Sequence, residues 1–478
     1  MIASYSYRDN KILFTVLVSL SIGTIILSNL FGTIIYVAIF GLISLISIFF
    51  ISYRYPRYNI LILLSCNYFV PLLIKAFMLY DVPFGIANEG LCALMLFTLI
   101  LNKRISGIKT LPAVMLLIWM LYQLIELMNP YAFSRLAGFL ALRTLIPFLC
   151  CFFIMYSSID NKRDINLFFS GVLILSMCAG TYCLYQEFVG LPFYDFRWAT
   201  QDEDIYNLLF TWGRLRKFSF FFNPSEFGML MAVTGVVALV IFFFAKEKKL
   251  KIVSGTSGII CIWSMIYTGS RTAMIMVPVG LIFFAALTLH RKVLIGVGFF
   301  VVFGIVMMLR PASGAMYVMS TAFSGADDPS MNVRIKNREL IRYYIQSNPI
   351  GYGLGGTGFL GHKYSANTFI GTFATDSEYV RIAVEAGWIG LLLWCIILAV
   401  LFGYGVTLYF KTKDQEWKII LSSVIVFIFM IIVAQYAQEL FVSQILAILL
   451  SSMLGVMAKI GTKIESGLKK NIEEDESR

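Results

Sequence analysis

Charge is scarce in this chain. Only 14% of its 478 residues are Asp, Glu, Lys or Arg, while 59% are hydrophobic. A soluble domain carries about a quarter charged residues. Too little polar surface remains to coat a water-soluble globule, so a bilayer must act as part of the solvent. Histidine is scarcer still: His290 lies beside Arg291 and Lys292, and His362 lies in a long polar segment. No His, Cys or acidic set has metal-ligand spacing, so neither a metal nor a cofactor is expected. All eight cysteines fall inside apolar stretches and read as packing residues, not disulfide partners. The acidic runs Asp202-Glu203-Asp204 and Asp327-Asp328 read as solvated loops. No small-residue cleavage site follows the first apolar run, so it reads as a retained helix and not a signal peptide.

Apolar runs are what the chain has in abundance. About twenty such residues cross the hydrocarbon as a helix that satisfies its own backbone polar groups. Runs fall at about 12–29, 31–51, 59–79, 86–101, 111–128, 138–157, 165–189, 225–245, 250–268, 271–289, 292–309, 385–410, 417–437 and 440–459. These residues predict an all-α integral membrane protein of about fourteen transmembrane helices, a single polytopic domain over 1–478. Cations occupy alternate short loops: Arg54 and Arg57; Lys103, Arg104 and Lys109; Lys162 and Arg163; Lys246 to Lys251; Arg291 and Lys292; Lys411, Lys413 and Lys418. The tail adds Lys459, Lys463, Lys469 and Lys470, whereas the intervening loops, such as Tyr80 to Pro83, hold almost none. Short cytoplasmic loops carry the Lys/Arg excess, so both termini are expected in the cytoplasm. The same pattern explains much of the +11 net charge without nucleic acid.

Two long connections, 190–223 and 310–385, fall on the outer face by the same parity and are expected to hold short helices. Long ordered loops are usually functional. The ionisable groups of the spans are few: Lys75, Glu89, Glu126, Arg143, Glu187, Glu226, Arg271, Glu385 and Glu439. Each lies near the outer end of its helix, which favours a shared polar chamber at the outer leaflet over isolated snorkelling side chains. A carrier would place such groups near the midplane.

Five constellations stand out. Arg214, Arg216 and Lys217 precede a helix that starts at Pro224, with Glu226 in its first turn. That arrangement suits a phosphate, or equally lipid headgroups. Arg271 opens a helix after the tight turn Thr268-Gly269-Ser270, against the helix dipole, and needs an anion, either a substrate or a structural partner such as Glu226 or Glu187. Residues 332–347 read as a helix with Arg334, Arg338 and Arg342 along one face, suited to a diphosphate or simply solvated. Gly351 to Gly358 contains a G-x-G-x-x-G string, but without a βαβ unit it reads as a substrate-facing loop. Asp376-Ser377-Glu378 leads towards Arg381 and Glu385. Asp376 is either a general base at the mouth of the membrane or an ordinary N-cap. Tyr194, Trp198 and Trp212 are candidates for stacking on sugar rings or anchoring at the interface.

In order and spacing, the runs Arg216 to Gly228, Gly269 to Ala273, Asn348 to Gly355 and the 376–390 segment resemble the O-antigen polymerase and ligase superfamily of bacterial surface polysaccharide assembly. Ligases of that group carry His, then Asn, Ser or Gln, then nine residues, then Gly-x-x-Gly. Here the frame reads Asp376, Ser377, nine residues, Gly387-Trp388-Ile389-Gly390, with the histidine replaced by aspartate. The resemblance implies a GT-C-like inner-membrane glycosyltransferase that acts on undecaprenyl-diphosphate-linked glycans and needs no nucleotide sugar. Arg216, Lys217, Arg271, Arg334 and Arg338 would bind the diphosphate, Asp376 would be catalytic, and Arg214, Glu226, Glu378 and Arg381 would support them. The aspartate favours a Wzy-type polymerase, with a chain-length regulator as a further partner. The alternatives are a ligase that passes the glycan to a lipid or protein, or a flippase.

Overall fold

The computed structural model describes residues 33–80, 84–211, 213–309, 329–439, 441 and 443–476. The expected span at 12–29, Asp81 to Pro83, Trp212 and the Asp327-Asp328 pair lie outside these residues, as does the start of the second long connection. Of Arg334 and Asp204 only the backbone is described.

Two compact units divide the chain. The first, residues 1–56, holds α1 (Thr33–Arg54). The second holds the long helices α2 (Asn59–Phe77), α3 (Phe84–Leu101), α4 (Leu111–Glu126), α5 (Arg135–Ser158) and α6 (Lys162–Phe188). After α6 come two short helices, α7 (Phe193–Ala199) and α8 (Glu203–Leu209), and a two-residue antiparallel ladder pairing Phe210 with Leu215. Then follow α9 (Pro224–Phe244), α10 (Lys248–Ile266), α11 (Arg271–Thr288) and α12 (Arg291–Leu309). The second polar segment carries α13 (Pro329–Ser347), α14 (Gly358–Tyr364), α15 (Phe369–Thr372) and α16 (Glu378–Glu385). Three long helices close the chain: α17 (Gly387–Lys411), α18 (Gln415–Ala434) and α19 (Gln444–Glu476).

Among the described residues nine helices are long and apolar enough to cross a bilayer, and three apolar ones are shorter. The molecule is a multi-pass, all-helical membrane protein. Helices apolar on every side belong in the interior. Here α9, α18 and α19 fill that place, with most of their span residues buried. α9 packs against α10, α11 and α18, and α19 packs against α5 and α18.

Observed helix ends fall within a few residues of the apolar runs, with one difference. The last helix continues to Glu476 and does not stop at 459, because the tail is rich in Lys and Glu, which favour helix. The expected span at 385–410 is α17 (Gly387–Lys411), and the separate short helix α16 ends just before it, at Glu385.

The connections gather at two poles. At one, Arg104 pairs with Asp160 (2.9 Å), Lys162 pairs with Asp414 (2.5 Å) and Glu416 (2.8 Å), and Lys463 donates to the Asp160 carbonyl. Lys246 and Glu247 border a small pocket beside Lys162 and Glu416. These are the cation-bearing loops. The segments 189–223, 267–270, 348–386 and 435–443 meet at the other pole.

Candidate functional site

The connector between α18 and α19, residues 435–443, is the piece on which the polar segments converge. The Gln435 carbonyl accepts from the Glu378 N–H (3.0 Å) and the Ser377 hydroxyl (3.0 Å), and Phe441 N–H donates to the Glu378 carboxylate (3.3 Å). Trp394 of α17 donates its indole N–H to the Gln435 side chain at 2.8 Å. On the opposite flank, the Ser443 hydroxyl donates to Glu226 Oε1 (2.5 Å) and Gln438 Nε2 to Thr272 Oγ1 (3.4 Å). The Arg338 guanidinium lies 4.2 Å from the Tyr436 ring centroid and donates to that residue's hydroxyl and, at 3.1 Å, its carbonyl. Arg338 reaches this place because Ile341, one turn further along α13, is buried against Ile370, Phe373 and Val384.

The glycine run explains the helix break. Tyr352 N–H donates to Val384 O and Gly353 N–H to Glu385 O, each at 2.9 Å. Gly387 has φ +70°, and a Cβ there would sit 2.0 Å from the Pro349 carbonyl oxygen. Backbone packs directly on backbone, which only glycine permits. The run is therefore a seat for α16, and only its end, from Leu354 to Gly358, faces a cavity.

That cavity, about 270 Å³, is bounded by Trp119 and Gln123 of α4, by Thr357, and by Glu378, Arg381 and Glu439. Arg381 pairs with Glu378 and with Glu385 (3.4 Å). Burial opposes the charge on Arg381, but the two carboxylates outweigh it and raise its pKa above the ordinary arginine value. Glu385 also accepts from the Thr357 hydroxyl at 2.6 Å. Burial raises the Glu385 carboxyl, against the pull of Arg381 and Thr357. Glu439 accepts from the Thr375 hydroxyl. Burial pushes its carboxyl up to about 7; Arg381 acts downwards, and Glu378, Glu385 and Asp376 act upwards.

The residues singled out by sequence fall into two groups. In the first, Arg216 bridges Thr268 O and Ser225 Oγ, both at 2.8 Å, and packs over Gly269, two residues before Arg271 begins α11. Burial lowers the Arg216 pKa to about 10. Arg214 and Lys217 both pair with Glu187. In the second group, Arg338, Asp376, Glu378 and Arg381 surround the connector. Asp376 has a left-handed backbone (φ +51°) and shares a small pocket with Arg338, Asn337 and Thr375. Ser377, not Asp376, occupies the N-cap position of α16. Gln438 and Ser443 link the two groups.

One expectation is corrected. Trp198 is buried against Phe218 and Phe222 and offers no face to a sugar. Tyr194 shares a 2.8 Å hydrogen bond with Tyr182. Sequence reasoning missed the grouping of Glu439, Gln123 and Thr357 around Arg381. The available signal was the polar run Gln435 to Glu439 between two strongly apolar helices. It also missed the pairing of Lys75 with Asp195, both fully buried, at 2.7 Å.

Helices of this kind around a polar pole define a multi-pass membrane protein. Residues 256–395, from α10 into α17, match the family model described as O-antigen ligase (Wzy_C). Members of that family polymerise or ligate lipid-linked glycans. No curated protein matches the chain.

Proposed function

We propose that this protein polymerises undecaprenyl-diphosphate-linked oligosaccharide repeat units at the outer face of a bacterial inner membrane, through a GT-C-like bundle of about fourteen spans. The observation that carries the reading is the convergence of Arg216, the Arg271 turn and Arg338 on one pole, around the 435–443 connector. The cation-rich loops occupy the opposite pole, and short cytoplasmic loops carry that excess. The convergent pole would then be the outer one, and segments 190–223 and 310–385 its large loops. Both termini would be cytoplasmic.

The chemistry follows from charge. As the sugar–phosphate bond of the donor breaks, negative charge grows on the leaving diphosphate. Preorganised guanidinium groups stabilise that charge most where water is excluded. Arg216 and Arg338 are held by hydrogen bonds, so little reorganisation is needed. Arg271 would add to the diphosphate ligands, as would Arg334, whose side chain lies outside the described residues. Arg214 and Lys217, tied to Glu187, fix the first loop. The acceptor hydroxyl must lose a proton to a carboxylate of this pole.

The reading is tested by reconstituting the protein with lipid-linked repeat units isolated from a host strain that lacks it. A ladder of lipid-linked chains is expected, and Arg271→Ala and Arg338→Ala should stop its growth while leaving membrane insertion intact. Transfer to another lipid or to protein without a ladder would instead identify a ligase, the second reading. Repeat units trapped on the inner leaflet of the deletion strain would identify a flippase.

A further inference from the structure

We infer that Glu439 is the proton acceptor for the attacking sugar hydroxyl, which occupies the cavity beside Arg381; this rests on the glycosyl-transfer reading above. Four carboxylates surround this place, and the geometry separates them. Glu378 and Glu385 both border the cavity, but each is ion-paired to Arg381. Glu378 also accepts from Phe441 N–H, and Glu385 from Thr357. A carboxylate so engaged is a poor base. Asp376 borders the separate pocket with Arg338 and not this cavity. Glu439 borders the cavity, and among the described residues its hydrogen bond is the neutral one from Thr375.

Burial raises its basicity, and the facing charges adjust it. Arg381 is the facing cation; Glu378 and Glu385 from α16 and Asp376 from the preceding turn are the facing anions. One cation shared among several acids leaves Glu439 able to hold a proton near neutrality, which suits general-base work at physiological pH. The cavity's remaining polar groups, Gln123, Thr144, Thr357 and Gln444, match the hydroxyls of a sugar ring. In the step itself, the acceptor oxygen forms a bond to the donor's anomeric carbon. The bond from that carbon to the phosphate oxygen breaks, and the diphosphate leaves with the electron pair. The hydroxyl proton passes to Glu439 and then to water.

The test is the pH profile of chain growth in proteoliposomes supplied with the host's own lipid-linked repeat units. Wild type should gain activity with rising pH through a limb near 7. Glu439→Gln should lose activity about 10²-fold or more, and whatever remains should lack that limb. Glu439→Asp should retain activity with the limb moved, and it decides the matter if the glutamine variant fails to accumulate. Asp376→Asn should keep a limb, moved to somewhat lower pH because one facing anion is gone. Wild-type rates in Glu439→Gln, or an unmoved limb in Glu439→Asp, would overturn the assignment of Glu439 alone. A wild-type protein that forms no glycosidic product under any condition would overturn the transfer reading, and this one with it.

Discussion

Lys75→Met should undock the 190–223 segment, and the cost can be worked from its surroundings. Lys75 Nζ lies 2.7 Å from Asp195 Oδ1 and donates to the carbonyls of Ser219 (3.0 Å) and Phe221 (3.3 Å). It also sits 4.5 Å from the Phe218 ring centroid. Removing one partner of a buried ion pair costs about 3–5 kcal/mol, because the other charge is left stranded. Asp195 would keep its bonds from Tyr182 (2.6 Å) and Gln186 (2.8 Å), which places the cost towards the low end, about 3 kcal/mol. That is roughly a 150-fold shift in the docking equilibrium. Methionine preserves the length and apolar packing of the side chain, so the charge is what changes. The assay is the rate of limited proteolysis within 190–223 for protein in nanodiscs, which should rise by about two orders of magnitude. Adding Asp195→Asn should recover most of the loss, since the stranded charge is then gone, and the double-mutant cycle should show strong coupling. Equal protease resistance in wild type and Lys75→Met, with no coupling to Asp195, would refute the reasoning.

Three further outcomes follow from the same geometry. Gly387→Ala combines a left-handed backbone with a Cβ placed 2.0 Å from Pro349 O; a loss above roughly 3 kcal/mol is expected, seen as little monodisperse protein on size-exclusion chromatography, and a normal yield would contradict it. Arg216→Lys keeps the charge but loses the fork that spans Thr268 O and Ser225 Oγ, so chain growth should fall about tenfold or more, read from ladder length and rate. Tyr436→Phe keeps the ring beneath Arg338 while Tyr436→Ala removes it. The alanine variant should therefore lose about three- to fivefold more activity than the phenylalanine variant, and equal effects would show that the ring is irrelevant.

Hydropathy was enough to place the long helices, because a membrane helix satisfies its backbone within itself and needs only length and apolarity. Pro224 at the start of α9, Ser270 before α11 and the helix ending at Asn348 were also legible, since caps and prolines act locally. The site was legible only in part. Arg216, Arg271 and Arg338 could be named from type and spacing. Their common anchorage could not, because the polar run Gln435 to Glu439 marks a connector without saying which distant segments it holds. Trp198 was a candidate for sugar stacking or interfacial anchoring and is instead core, and nothing in its flanking sequence distinguishes these. Glu439 is the clearest case. Its carboxyl is raised by burial and by Glu378 and Glu385, against Arg381, and these three lie more than fifty residues away in the chain.

The charge layout also gives the proposed reaction a direction. The flank that holds Arg216 and the Arg271 turn is basic, whereas the cavity beyond the connector holds Glu378, Glu385 and Glu439 against a single arginine. A diphosphate is repelled by that cavity and attracted to the opposite flank, while a neutral sugar end meets no such penalty and gains hydrogen bonds among the acids and amides. The donor would therefore be recognised by its phosphates and the acceptor by its far, non-reducing end, with the connector between them. Repulsion that excludes the wrong orientation is as much a source of specificity as attraction for the right one. Two substrates bearing the same lipid diphosphate could then be told apart by one protein, because each would offer a different end to a different flank of residues 435–443.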